Sequence, residues 1–277
     1  MKTIIVPTDL SPDTDAALSV AVDIARLYQA SIVLLHNVVY PNPVPVYSEA
    51  ILITNDYMLA EYQEVEKEAE VALKRIAEDK KYSGVTIIPT LITNGMGLVH
   101  NVTERPADLI VMSSEGASGL EEFLLGSNAE TIVRHAHCPV LVVKEPIAHF
   151  KPENIVCGID VDNHLKALHH YPFQLGENGL HQFVYVMTPT DNRDTDGVRE
   201  WVNDFAATKG ITDFKFVIHP ARNVPDGIID YANEVNADLI VLFTHGYKGL
   251  RHLVSGSVAE DVLNHTSRPV LIMRVIE

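Results

Sequence analysis

The sequence predicts an α/β protein: two doubly wound parallel sheets in tandem, packed on one another as an internal pseudo-dimer. Two observations carry this expectation. First, the 277-residue chain repeats itself. A shift of 130 places lays ADLIVMSSEGASGLEEFLLGSNAETIVRHAHCPVLVV on ADLIVLFTHGYKGLRHLVSGSVAEDVLNHTSRPVLIM, with 16 identities in 37 positions. Second, short apolar runs alternate with segments of helical period inside each copy, the pattern of strand-helix units around a parallel sheet. The beginnings of the halves align at a shift of 151, which places Asp9 on Asp160. The extra chain in the first half is expected after its second strand.

Taken in order, the first half is expected to have strands at 3–8, 31–38, 86–92, 109–113 and 140–143, with helices at 12–28, about 57–79, 97–105 and 127–135. The second repeats this with strands at 154–160, 182–188, 215–218, 239–244 and 270–274, and helices at 164–175, 197–209, 225–236 and 257–265. Runs such as DLIVM and DLIVLF are nearly continuous in apolar residues, as suits strands covered on both faces. KEPIAHFKPEN carries charge and two prolines between the halves and reads as a linker. The domains are therefore 1–146 and 152–277. The last strands, VLVV and VLIM, are expected to lie close, each protecting the other's edge. Prolines at 41, 43 and 45 forbid a regular helix there, and the stretch from Tyr40 is expected to pack over the first crevice or the partner half.

Composition excludes several function classes. A formal charge of -16 provides no basic field for a nucleic-acid backbone or an anionic membrane, so neither is an expected partner. No apolar run reaches the roughly 18 to 20 residues that span a bilayer. At the N-terminus, Pro7 and Asp9 interrupt the apolar run too early for a signal peptide. Cys138 and Cys157 give neither a disulfide framework nor a metal spacing, so a cytoplasmic setting is expected. Thirteen histidines show no ligand spacing, and no metal site is expected.

In doubly wound sheets, ligands sit beyond the carboxyl ends of the strands. The residues expected there are Asp9 and Asp160 after the first strand of each half, Asn37 and Thr188 after the second, and the glycine loops after the fourth. Those loops place Gly116, Gly126 and Ser127 in the first half. In the second they place His245, Gly246, Gly256, Ser257 and Val258. Glycine lets backbone approach an anion, and a helix start offers free N–H groups and a favourable dipole. Capping alone would also explain Asp9 and Ser257, and ordinary strand-end polarity would explain Asn37 and Thr188. The first loop carries Glu115, Glu121 and Glu122 with no cation between Glu115 and Gly126. The second carries His245, Lys248, Arg251 and His252. Each like charge close to a phosphate opposes binding by roughly 1 kcal/mol in a solvated site, so the second half is expected to hold phosphate better.

VPTDLSPDTDAAL, IVLLHNVV, the loop of glycine, nine residues and Gly-Ser, and the closing HCPVLVV together resemble a universal stress protein. GIDVDNHLKAL through HGYKGLRHLVSGSVAEDVLNHTSRPVLIM resembles a second one, so nearly the whole chain is similar to the tandem form of that family. The resemblance implies a Rossmann-like, adenine nucleotide alpha hydrolase-like fold. It also implies ATP binding, with Mg2+ carried in by the nucleotide, in members that have a further glycine three residues before the positions of Gly116 and Gly246. Ser113 and Phe243 occupy those places in this chain. In the resembled family, paired copies associate through their last strands, which implies the internal pseudo-dimer and leaves a homodimer as a further assembly.

Neither a Walker loop nor a Gly-x-Ser-x-Gly elbow is present, so no catalytic residue is assigned and at most slow ATP hydrolysis is expected. The expected function is that of a cytoplasmic stress-response regulator that binds adenine nucleotide and acts through an unidentified protein partner. The alternatives are a nucleotide-free interaction scaffold and an enzyme that cleaves ATP or uses the crevice for another small molecule.

Overall fold

The computed structural model describes residues 1–11, 14–38, 40, 51–114, 125–167, 179–244 and 258–274, with the side chains of 14, 51–58 and 167 excepted. The first half runs β1 (Thr3–Pro7), α1 (Thr14–Tyr28), β2 (Ser31–Asn37), α2 (Ile51–Ala77), β3 (Thr86–Ile92), α3 (Leu98–Thr103), β4 (Leu109–Ser113), α4 (Ser127–His135) and β5 (Val140–Val143). The second runs β6 (Asn154–Gly158), α5 (Asn163–Ala167), β7 (Leu180–Met187), α6 (Thr195–Thr208), β8 (Phe214–Pro220), α7 (Val224–Glu234), β9 (Leu239–Thr244), α8 (Val258–His265) and β10 (Val270–Arg274).

Among the described residues ten strands join one sheet, in the order β3-β2-β1-β4-β5-β10-β9-β6-β7-β8. The expectation of two separate sheets is corrected in this respect. β5 and β10 are hydrogen-bonded antiparallel, with Val142 opposite Val270 and Leu141 opposite Leu271. Every other pairing is parallel. The physical reason is the edge. Val140 to Val143 and Val270 to Met273 are all at most 2% exposed, and strands this apolar are stable only when covered and paired.

Strand residues alternate between two cores. Ile4, Val6, Leu109, Val111, Leu141 and Val143 face the layer that holds α1, α2, α5 and α6. Ile5, Ile110, Met112, Val140 and Val142 face the layer that holds α3, α4, α7 and α8. Period-two alternation puts successive side chains on opposite faces, and both faces are apolar because helices cover both. The helices match their sequence signals. In α6, Val198, Trp201, Val202, Phe205 and Ala206 form one buried stripe at helical spacing. Asp194 caps α6 by accepting the Gly197 N–H at 3.1 Å. In α7, Asn223 accepts the Asp226 N–H at 2.9 Å, and Pro225 sits in the first turn.

Helix α2 begins at Ile51, not near Tyr57 as expected. Pro45 is the last breaker before Gly84, and the β-branched Ile51, Ile53 and Thr54 each cost a helix only a few tenths of a kcal/mol. The packing expected for the stretch from Tyr40 falls on residues 41–50 and on side chains 51–58, outside the described residues. The first half is indeed longer after its second strand: α2 has 27 residues against 14 in α6. The expected helix 164–175 is described only to Ala167.

Each half also carries a carboxylate clamp beneath its sheet. Asp108 accepts N–H bonds from Lys2 and Thr3, and its repeat partner Asp238 accepts from Glu153 and Asn154. Across the halves, Arg134 lies 3.6 Å from Glu260, and the Leu125 N–H donates to Asn264 at 2.9 Å. The linker docks on α1 through the Phe150 N–H, which donates to Asp23 at 2.8 Å. Among the described residues no helix is long and apolar enough to cross a membrane.

Candidate functional site

In each half the winding reverses between neighbouring central strands, β1 and β4 in the first and β6 and β9 in the second. Adjacent loops diverge at such a point and leave a crevice beyond the strand ends. The second half holds a cavity of about 520 Å³ there, within the ~300 to 1,000 Å³ typical of small-molecule sites. Its wall is apolar, formed by Val184, Val186, Ile228, Leu242 and Phe243, and Val258 and Ala259 contribute the start of α8. Its rim is polar, with Asp160, Thr188, Asp191 and Arg193. Gly158 forms part of the floor: a Cβ there would lie 2.8 Å from Ile228 and 2.9 Å from Leu242.

The rim is built by the loop that follows β7. The Asp191 N–H donates to the Thr188 carbonyl at 3.0 Å, and the Arg193 N–H donates to the Asp191 carboxylate at 3.0 Å. These two turns bring Arg193 back over the strand ends. Its Nη1 donates to Asp160 Oδ1 at 2.5 Å and to the Tyr185 hydroxyl at 3.0 Å. The Tyr185 hydroxyl in turn donates to Asp191. Burial, then the bond to Asp191, push the Tyr185 hydroxyl above its ordinary pKa, with Arg193 opposing them. The Tyr185 bond and the Arg193 N–H hold the Asp191 carboxyl below the usual carboxylate range. The Arg193 and Asp160 side chains are 48% and 67% exposed, so their pair contributes only about 0 to 1 kcal/mol.

Of the residues expected in the second half, Asp160, Thr188 and Val258 line this one cavity. His245, Gly246, Gly256 and Ser257 lie outside the described residues, as do Lys248, Arg251 and His252. Phe243, which stands where the resembled nucleotide binders have glycine, forms part of the wall. Its ring packs edge-on against Phe205 at 6.0 Å, and the cavity remains open beside it.

In the first half Asp9 accepts the Ser11 N–H at 2.9 Å, a turn-forming role, next to Leu10 in the left-handed region at φ 66. Asn37 is engaged by its neighbours: its amide donates to the Met96 carbonyl at 3.1 Å, and its oxygen accepts from Asn101 at 2.5 Å. Asn101 is buried and also bonded to Asn94. Gly126 is the residue preceding α4, at φ -59, a conformation any residue adopts, and Ser127 is the exposed first residue of the helix. Gly116 lies outside the described residues.

Sheet register corrects one pairing. Pro7 lies beside Leu35 and Gly158 beside Val184, so Asn37 corresponds to the cavity residue Val186 and not to Thr188. Sequence reasoning missed Tyr185, Asp191 and Arg193. The signal was present in TPTDNRD: an arginine in a turn-rich loop at the carboxyl end of a strand. Among the described residues, no three His, Cys, Asp or Glu side chains gather as a metal site. Burial pushes the Cys138 thiol up to about 12, which removes it as a nucleophile near neutral pH.

Comparison with known proteins agrees with this architecture. The universal stress protein MJ0531 of Methanocaldococcus jannaschii is 34% identical over 147 residues, which cover 52% of this chain and 83% of that protein. Universal stress protein YxiE of Bacillus subtilis is 30% identical over 153 residues, covering 50% of this chain and 97% of the relative. A crystal structure of a universal stress protein from Archaeoglobus fulgidus superimposes with a TM-score of 0.71 at 18% identity and covers 98% of both chains, a likeness of fold across both halves together. The description of the universal stress protein family matches residues 1–144 and again 184–274. With both halves matched, the chain belongs to the universal stress protein family, in its tandem form.

Proposed function

We propose that the second-half cavity binds an adenine nucleotide and that the protein is a cytoplasmic stress-response regulator acting through a protein partner. The observation that carries this reading is the cavity itself. An apolar slot of about 520 Å³ at the switch point, with Asp160 and Arg193 on its rim and the start of α8 at its end, suits an apolar base with a polar, anionic tail. Val184, Val186, Ile228 and Leu242 would hold the base. Asp160 would accept sugar hydroxyls. Arg193 and the amides at the start of α8 would face phosphate, with any Mg2+ entering on the nucleotide. In this reading the first half, with Asn37 tied to Asn101, binds nucleotide more weakly. Hydrolysis, where it occurs, is incidental.

Acid extraction of the purified protein followed by mass spectrometry, together with calorimetric titration of ATP into the intact chain, tests this. An adenine nucleotide in the extract and saturable binding support it. A clean extract with no heat of binding at millimolar ATP sinks it and favours the interaction scaffold, to which Ser113 and Phe243, at positions where the resembled nucleotide binders have glycine, point. A different metabolite in the extract would favour the small-ligand enzyme.

A further inference from the structure

Arg193 belongs to none of the glycine-loop or aspartate motifs of this chain, yet the turns at Thr188 and Asp191 aim it over the cavity mouth. Both of its side-chain bonds are made by Nη1, to Asp160 and to Tyr185. Guanidinium carries five N–H groups in a planar fork, so the edge formed by Nη2 and Nε is left for a second acceptor. A phosphate can be gripped there through two parallel bonds, whereas the Asp160 bond is single and largely solvated. Arg193 is held in position by Tyr185, whose ring also lies 5.9 Å from the guanidinium carbon. Exchange of acceptor therefore needs little movement of the arginine.

Resting on the nucleotide reading of this cavity, we propose that the phosphate nearest the sugar takes the Nη2–Nε edge of Arg193 and draws the guanidinium away from Asp160, which makes Arg193 the residue that selects nucleotides over nucleosides. The exchange does two things at once. It gives the phosphate a cation held at the rim of the cavity. It also releases the Asp160 carboxylate to accept sugar hydroxyls. A nucleoside, without phosphate, would have to compete with Arg193 for Asp160 and would bind less well.

The test titrates the full chain with adenosine, AMP and inorganic pyrophosphate, using the wild type, Arg193→Ala, Arg193→Lys and Asp160→Asn. The wild type is expected to prefer AMP over adenosine by about tenfold or more, as a charge-assisted bond implies. In Arg193→Ala that ratio should fall towards one while adenosine binding holds or improves, and Arg193→Lys should restore part of it. Asp160→Asn removes both the internal competitor and a like charge, so pyrophosphate should bind several-fold more tightly; this gain should shrink when Arg193→Ala is added, whereas with a purely structural Arg193 it would be the same in both backgrounds. An AMP-to-adenosine ratio unchanged in Arg193→Ala overturns the assignment of Arg193 while leaving nucleotide binding standing. If adenosine and AMP both fail but pyrophosphate binds in an Arg193-dependent way, the adenine reading falls and the role of Arg193 in holding phosphate survives. Absence of binding by all three probes removes both.

Discussion

The two crevices descend from one repeated sequence, and the elements around them are superimposable in order, yet they are furnished differently. At the end of β7 the second half has Tyr185 and a loop that returns Arg193 to Asp160. The corresponding strand in the first half ends in His36, bonded to the Thr8 carbonyl, and in Asn37, bonded to Asn101. The same backbone location is an apolar-walled cavity with charged groups at its rim in one copy and a knot of mutually satisfied amides in the other. The difference lies in what fills the space between the strand ends and the helix behind them. In the second half α7 is 11 residues long and presents Val224 and Ile228 to the cavity. In the first half α3 has six residues and presents Asn101. Among the described residues, the two crevices thus differ in second-layer residues that no loop motif records.

The most severe way to break this contrast is to give the second half the bulk that Pro7 already gives the first. In Gly158→Val the new side chain meets the tips of Ile228 and Leu242, which must shift, and the space beside them is the cavity. Nucleotide affinity measured by calorimetry should fall by about 30-fold, equivalent to about 2 kcal/mol. Retained affinity would place the ligand elsewhere.

A second contrast uses a pair of repeat-equivalent glycines. At Gly227 a Cβ would lie 2.6 Å from Val186 and 2.8 Å from the Cβ of Ala221, both stiff, whereas Gly97 has open space around it and φ -71. Gly227→Ala should lose about 2 kcal/mol in urea unfolding, and Gly97→Ala should stay within about 0.5 kcal/mol of the wild type. Equal effects would show that α3 and α7 pack alike after all.

Asn101→Ala probes the amide knot. It leaves Asn37 and Asn94 short of buried partners and should cost about 1.5 kcal/mol by the same measurement. A gain of ligand binding in the first half would be the informative surprise.

The smallest effect concerns Asp108. The N–H bonds from Lys2 and then Thr3 hold its folded-state pKa below the ordinary value of 3.8. Its contribution is therefore complete above the unfolded pKa and is lost as pH falls through the depressed folded value. Asp108→Asn should remove the part of the acid destabilisation that this group causes as pH falls below its ordinary pKa, seen as a shallower fall of Tm with pH. Solvent exposure keeps the effect below about 1 kcal/mol.

Much of the architecture was legible in the residues because it rests on short-range patterning. DLIVM and VLVV could be nothing but covered strands, and the repeat fixed which strands correspond. The amphipathic stripe of α6 and the caps at Asp194 and Asn223 are local signals too. The joining of β5 to β10 into one sheet was half legible: two apolar last strands needed cover, but hydrogen bonding between them is a long-range pairing that local pattern does not encode. The start of α2 was not legible, because the nearby prolines outweigh, on the page, the weak cost of β-branched residues in a helix. Asp160 and Thr188 were expected at strand ends and Val258 at the close of the glycine loop, and all three line the cavity. Arg193 was missed because its position depends on a turn that folds it back 33 residues in sequence, and the wall of the cavity was missed because Val186 and Ile228 look like any core residue.

The seam between β5 and β10 has a consequence for how such unlike copies can coexist. A lone half would carry a raw apolar edge, β5 or β10, and would pair with its own kind, giving products with two identical crevices. The peptide link instead supplies the unlike mate at a local concentration no diffusing chain can match. Divergence is therefore protected: the two copies can change independently while the covalent link keeps each unlike pair together.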